Sequence, residues 1–124
     1  MRPGEEIPPL RHTPGAGAQQ RYADVSGDHN PIHLDAEAAR AAGLPAPILH
    51  GLYTMALVAR CACQAAGGRE LRSLSVDFRA PGLAGEEIEI AGTVEEASGG
   101  HLALRLVARQ GRRRLVRRGR ATFG

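Results

Sequence analysis

An α+β fold, with one long helix covered by an antiparallel sheet, is what the 124-residue sequence predicts, and three observations predict it. The first is the run "LYTMALVARCACQAA" at residues 52–66, apolar on nearly every face of its first three turns and stopped by Gly67-Gly68. An all-round apolar helix belongs inside a protein. The second is a change of period beyond that stop, from helical to two. Leu74, Val76, Phe78 and Ala80 alternate with Ser73, Ser75, Asp77 and Arg79; Ile88, Ile90 and Val94 alternate with Glu87, Glu89, Thr93 and Glu95; Leu102, Leu104 and Leu106 alternate with Ala103, Arg105 and Val107. The third is punctuation at hairpin spacing by Pro81-Gly82, Gly99-Gly100 and Gly111, after which "RLVRRGRATF" supplies a fourth strand with Gly119 as its bulge. A half-buried antiparallel sheet needs an apolar cover, and only the helix at 52–66 is long enough to be one.

The rest of the chain fits around that pair. A chain of 124 residues suits a single domain spanning 1–124, its first sixteen residues an extended lead-in with one short edge strand around Ile7 to His12. Residues 17–25 suit a short helix leading to Ser26, and the stretch after it, holding Gly27 and Pro31, suits a loop. Asp35 is a good N-cap for a two-turn helix, "AEAARAA", that Gly43 stops, and Pro45 and Pro47 force an extended segment ahead of Gly51. Four aromatic residues in all leave the core to Leu, Ile, Val and Ala, and so modest a core gains from oligomerisation.

Composition excludes several classes. Net charge is +3 and all sixteen basic residues are Arg, six of them in "GRRRLVRRGR" at 111–120. That cluster suits a solvated strand end or contact with an anionic carrier better than nucleic acid, and no nucleic-acid partner is expected. Cys61 and Cys63 diverge by about 200° on a helix, so no disulfide joins them, and a lone C-x-C lacks zinc spacing. No apolar run reaches the ~20 residues of a membrane span and no secretory leader is visible, so no membrane association and a cytoplasmic location are expected.

The chemistry is concentrated in "SGDHNPIHLD" at 26–35. His29 and His33 are four apart, but Pro31 prevents the helix that would aim them at one ion, and no third ligand is evident, so no metal is expected. Ser26 lacks the glycine pattern of a nucleophile elbow. General acid-base work needs a carboxylate and an imidazole aimed at one water or one carbon, and Asp28 and His33, separated by a proline turn with Asn30 beside them, meet that need. An Asx-turn in which Asp28 and Asn30 only cap local amides accounts for the same residues equally well.

The longer stretch "YADVSGDHNPIHLDAEAARAAG" resembles the signature of the MaoC-like, or type-2, (R)-specific enoyl-CoA hydratases and 3-hydroxyacyl thioester dehydratases, with Tyr22, Ser26, Gly27, Asp28, Asn30, Pro31, Ile32 and His33 matching as they stand. The resemblance continues through "GLPAPILHGLYTMAL" and "FRAPGLAGEEIEIAGTV" and covers roughly residues 18–95. It implies a hot-dog fold, an antiparallel sheet wrapped around a long central helix, and a pair of such subunits. It also implies reversible addition of water across the double bond of a trans-2-enoyl thioester, with coenzyme A or an acyl carrier protein as carrier and no cofactor.

Carried over to this chain, Asp28 and His33 activate the water and shuttle its proton, Asn30 supports their geometry, and Gly51 is the backbone oxyanion donor. Physics agrees on the last, because a helix's first N–H groups are unsatisfied and the helix dipole favours the negative charge that an enolate-like transition state places on the thioester oxygen. His50, Tyr53 and Arg79 are the expected substrate-binding residues, Arg79 through carrier phosphates. A subunit of a heterodimeric acyl thioester dehydratase and a hot-dog thioesterase are the alternatives. Ala84 in "PGLAGEE", where relatives carry a bulkier residue, leaves acyl chain length open.

Overall fold

The computed structural model describes residues 1–124. In chain order it contains strand β1 (Leu10–His12), helix α1 (Ala18–Ser26), a 3-10 turn (Pro31–His33), helix α2 (Ala36–Ala41), helix α3 (Gly51–Ala66) and strands β2 (Leu71–Phe78), β3 (Ile88–Ser98), β4 (His101–Gln110) and β5 (Arg113–Phe123). The strands form one antiparallel sheet in the order β1-β3-β4-β5-β2, and α3 packs on its buried face. This is the α+β, hot-dog arrangement expected from the sequence. The edge strand at the N-terminus is shorter than expected, since Pro8 and Pro9 have no N–H to give to a ladder. The lead-in is nonetheless tied to the sheet, by Gly4 N–H to the Val94 carbonyl and Ile7 N–H to the Gly92 carbonyl.

One core holds the layers together. Leu57, Val58, Cys61, Ala62 and Ala66 of α3 meet Ile88, Ile90 and Val94 of β3, Leu102, Leu104 and Leu106 of β4, and Leu115, Ala121 and Phe123 of β5. Period two holds through β3; in β4 Ala103, expected on the polar face, is buried, because its methyl is small enough to be covered by the cross-strand residues Glu96 and Thr122, and β5 departs further, burying the neighbours Leu115 and Val116 and the run Ala121, Thr122 and Phe123. The bulge in β5 falls one residue before the expected Gly119. Arg118 has φ 53°, and two residues of β5 oppose one residue of β4 between Leu106 and Ala108.

Two features depart from the sequence reading of a fully buried helix. Leu52 at the start of α3 is 63% exposed, and Phe78 at the end of β2 is 49% exposed. The sheet covers one face of α3 only. The opposite stripe, Leu52, Ala56, Arg60 and Cys63, lies open to solvent in the single chain. No helix in the chain is long and apolar enough to cross a membrane.

Candidate active site

The SGDHNPIH stretch is shaped by its own backbone. Gly27 ends α1 with φ 80°, a left-handed conformation that side-chain-bearing residues rarely adopt, and turns the chain so that the next residues face the start of α3. Ser26 Oγ accepts the Asp28 N–H at 3.2 Å, Asp28 Oδ1 accepts the Asn30 N–H at 3.2 Å, and Asn30 Oδ1 accepts the Ile32 N–H at 3.2 Å. The Asx-turn reading and the catalytic reading of the motif are therefore compatible. One carboxylate oxygen of Asp28 fixes the turn, and the other, Oδ2, stands 3.7 Å from His33 Nε2. Asn30 bonds to Asp28 through its backbone, while its side chain caps the 3-10 turn that carries His33.

His33 is buried, and its Nδ1 lies 2.8 Å from the Ile48 carbonyl. A carbonyl only accepts, so Nδ1 carries the hydrogen, and the neutral ring then has its lone pair on Nε2, the atom that faces Asp28. Gln19, which the sequence reading passed over, braces this arrangement: its Nε2 donates to the His33 carbonyl at 2.7 Å and to the Ile48 carbonyl at 3.1 Å. Its partners lie in two segments remote along the chain, and no local pattern announces it.

His33 opens into a cavity of about 310 Å³ whose lining includes Gly51 and Thr54 of α3, Phe78 and Arg79 at the end of β2, and Leu115 of β5. Gly51 is the first residue of α3, where the N–H has no acceptor within the helix. A Cβ there would stand 3.5 Å from the Phe78 ring, in the space the cavity occupies. Arg79 is exposed and has no acidic partner. Half of the 111–120 arginine cluster is by contrast neutralised, Arg113 by Glu86, Arg117 by Asp77 and Arg120 by Glu95.

The remaining expected site residues lie off the cavity. His50 is behind His33, its ring stacked on the His33 ring with centroids 4.0 Å apart. The Tyr53 hydroxyl shares a 2.7 Å hydrogen bond with His12, and its ring meets Tyr22 edge-on. Burial raises the Tyr53 pKa, so the phenol stays protonated.

Asp28, His33 and His50 each offer a ligand-type atom within 4.8 Å of the others. Proximity alone does not suit a metal here. Two imidazoles binding one ion point their lone pairs at a common centre, whereas the rings of His33 and His50 are stacked only 23° from parallel. A larger hollow of about 480 Å³ between the lead-in and strands β3 and β4 contains no histidine and lies away from the motif.

The family profile described as MaoC like domain matches residues 9–110. The chain is 38% identical over 104 residues to a fatty acid synthase subunit beta of Aspergillus oryzae, covering 81% of this chain and 5% of that protein. It is 47% identical over 57 residues to 3-hydroxyacyl-thioester dehydratase X of Mycobacterium tuberculosis, covering 43% of this chain and 20% of that protein. The chain thus spans a minor part of the length of either relative. Among solved structures, an (R)-hydratase from A. caviae involved in PHA biosynthesis superposes with a TM-score of 0.89 at 24% identity, over 99% of this chain and 96% of that one, a likeness of fold.

Proposed function

The chain belongs to the MaoC-like domain family, and from that premise we propose that it is a hydro-lyase that hydrates trans-2-enoyl thioesters to (R)-3-hydroxyacyl thioesters and catalyses the reverse dehydration. The observation that carries this reading is the pairing of the Asp28 carboxylate with the free Nε2 of His33 at 3.7 Å, beside a cavity that also contains the start of α3. That separation is too long for a direct hydrogen bond and suits a water that donates one hydrogen to each group.

As the water oxygen bonds to C3, His33 Nε2 takes its proton and electron density moves from the double bond to the thioester oxygen. The Gly51 N–H at the helix N-terminus stabilises that oxygen. The proton then passes from His33 to C2, the carbonyl re-forms, and the elements of one water have been added with the enzyme unchanged. Asp28 keeps the water oriented and offsets the transient imidazolium charge. No step requires a metal or redox cofactor.

Arg79, an unpaired cation at the cavity, is suited to the phosphates of coenzyme A or of a carrier-protein prosthetic group. Hydration supplies no reason for a secreted or membrane location, and two unpaired cysteines suit a cytoplasmic one. Exposed Leu52 follows the cavity residue Gly51, exposed Phe78 lines the cavity, and Phe78 ends β2, whose outer edge is unpaired, so a second hot-dog subunit is the partner that completes the cavity wall.

Crotonyl-CoA tests the reading. Loss of its conjugated absorbance without release of free thiol, in the parent and not in Asp28→Asn, is the expected result. Release of free thiol would instead indicate a thioesterase. An inactive folded parent that gains activity when mixed with another hot-dog subunit would indicate a heterodimeric dehydratase.

A further inference from the structure

We propose that His50 is a positioning residue that holds Asp28 and His33 in register, and that it does not contact substrate; this rests on the acid-base reading above. His50 is 3% exposed and is not part of the cavity lining. It is the N-cap of α3, yet its side chain makes no capping bond, so its polar atoms are engaged elsewhere. Nε2–H donates to the main-chain carbonyl of Asp28 at 3.0 Å, tying the start of the central helix to the loop that bears the carboxylate.

The same ring also restrains the base. His33 is held in its own plane by the Nδ1–H bond to Ile48, and a ring held by one such bond still swings about it. His50 removes that freedom by lying against the face of His33, centroids 4.0 Å apart, while Tyr22 packs on His50 at 4.6 Å. One side chain therefore fixes the backbone of the acid and the ring plane of the base.

The position also shows a cost that packing alone does not explain. His50 Nδ1 is buried without a partner, and an unpartnered buried ring nitrogen destabilises the fold. An apolar ring would fill the same space without that loss, so the donor at Nε2 is what the position requires. Local rules are broken in this way where function demands it.

Two variants separate the contributions. His50→Phe keeps a ring against His33 and removes the donor; His50→Gln keeps a donor and removes the ring. The expected result is a kcat for His50→Phe lower by about tenfold to hundredfold with KM within about twofold of the parent, and a partial recovery of kcat in His50→Gln. A rise in KM at unchanged kcat would mean substrate contact and overturn the proposal, as would parental kcat in His50→Phe.

Amide hydrogen exchange over residues 27–33 judges the clamp without any turnover. Exchange should be faster in His50→Phe than in the parent and close to parental in His50→Gln; identical exchange in all three would overturn the proposal. If the parent does not hydrate enoyl thioesters, the functional reading fails while the exchange result still decides the clamp. Should His50→Phe not fold, the smaller His50→Leu is judged by the same two readouts.

Discussion

His33 has one nitrogen committed to structure, and the bond at Nδ1 leaves the Nε2 lone pair facing Asp28, the atom that the proposed mechanism uses as its base. That bond depends on the Ile48 carbonyl staying in place, which Gln19 ensures by donating to it and to the His33 carbonyl. Gln19→Leu removes both bonds and leaves the His33 carbonyl without its side-chain donor, while the Ile48 carbonyl keeps the His33 Nδ1–H, so we expect a loss of about 1–3 kcal/mol in thermal or urea unfolding together with reduced turnover. Unchanged stability and turnover would show that the bracing is dispensable. The juxtaposition of Asp28, Asn30 and His33 was legible in the sequence because the three lie within six residues and the turn that brings them together is built from the same residues. Gln19 and the stacking of His50 were not, since both act on groups brought near only by the fold. Asn30 was half legible: its support of Asp28 is real but runs through its backbone N–H.

At the scale of elements, three neighbouring strands approach one another closely at one rung. Gly92 of β3 and Gly119 of β5 flank Leu106 of β4 on either side. A Cβ on Gly92 would come within 2.6 Å of the Arg105 carbonyl oxygen, and one on Gly119 within 2.7 Å of the Leu106 carbonyl oxygen. These are backbone atoms that cannot swing aside. Gly119→Ala should therefore lower stability by about 1–3 kcal/mol in a denaturant melt, through backbone strain. A neutral result would remove the rung from the account. The period-two alternation announced the strands, and Gly119 announced the bulge to within one residue. It did not announce the reason, a close approach of three backbones.

The outer face of the same strands carries Glu89 between Arg11 and Arg109, and Glu95 between Arg105 and Arg120. Hydrogen bonds from Arg109 and then Arg11 lower the pKa of Glu89, and the one from Arg120 lowers that of Glu95. With folded values below the unfolded carboxyl value of about 4.3, their contribution is present above that value and is lost as pH falls through the folded ones. Replacing both by Gln should flatten the acid side of the melting curve below about pH 5, and high salt should mimic the replacement. A curve with undiminished slope would assign acid sensitivity to other groups.

At the scale of the whole molecule, a helix apolar on all sides is covered by its own sheet on one side only. The sequence of α3 predicts a helix buried nearly all round, and the single chain buries one face of it and leaves Leu52, Ala56, Arg60 and Cys63 exposed; composition does not say what covers a surface. Leu52, Phe78 and the free edge of β2 are where the proposed second subunit would sit, close to Gly51 and the cavity. Light scattering should find the purified chain as a dimer, and Leu52→Glu should shift it towards monomer with loss of activity. A fully active monomeric parent would contradict the proposed shared wall.

The central claim, that Asp28 and His33 act as a unit on one water, is tested most directly by a double-mutant cycle on enoyl-thioester hydration. Asp28→Asn and His33→Gln should each lower kcat/KM by roughly 10²–10⁴-fold while leaving the thermal melt near that of the parent, and the double variant should fall little further, because groups that act together are lost together. Losses that multiply in the double variant would mean that the two residues serve separate steps. Near-parental turnover in either single variant would contradict the account.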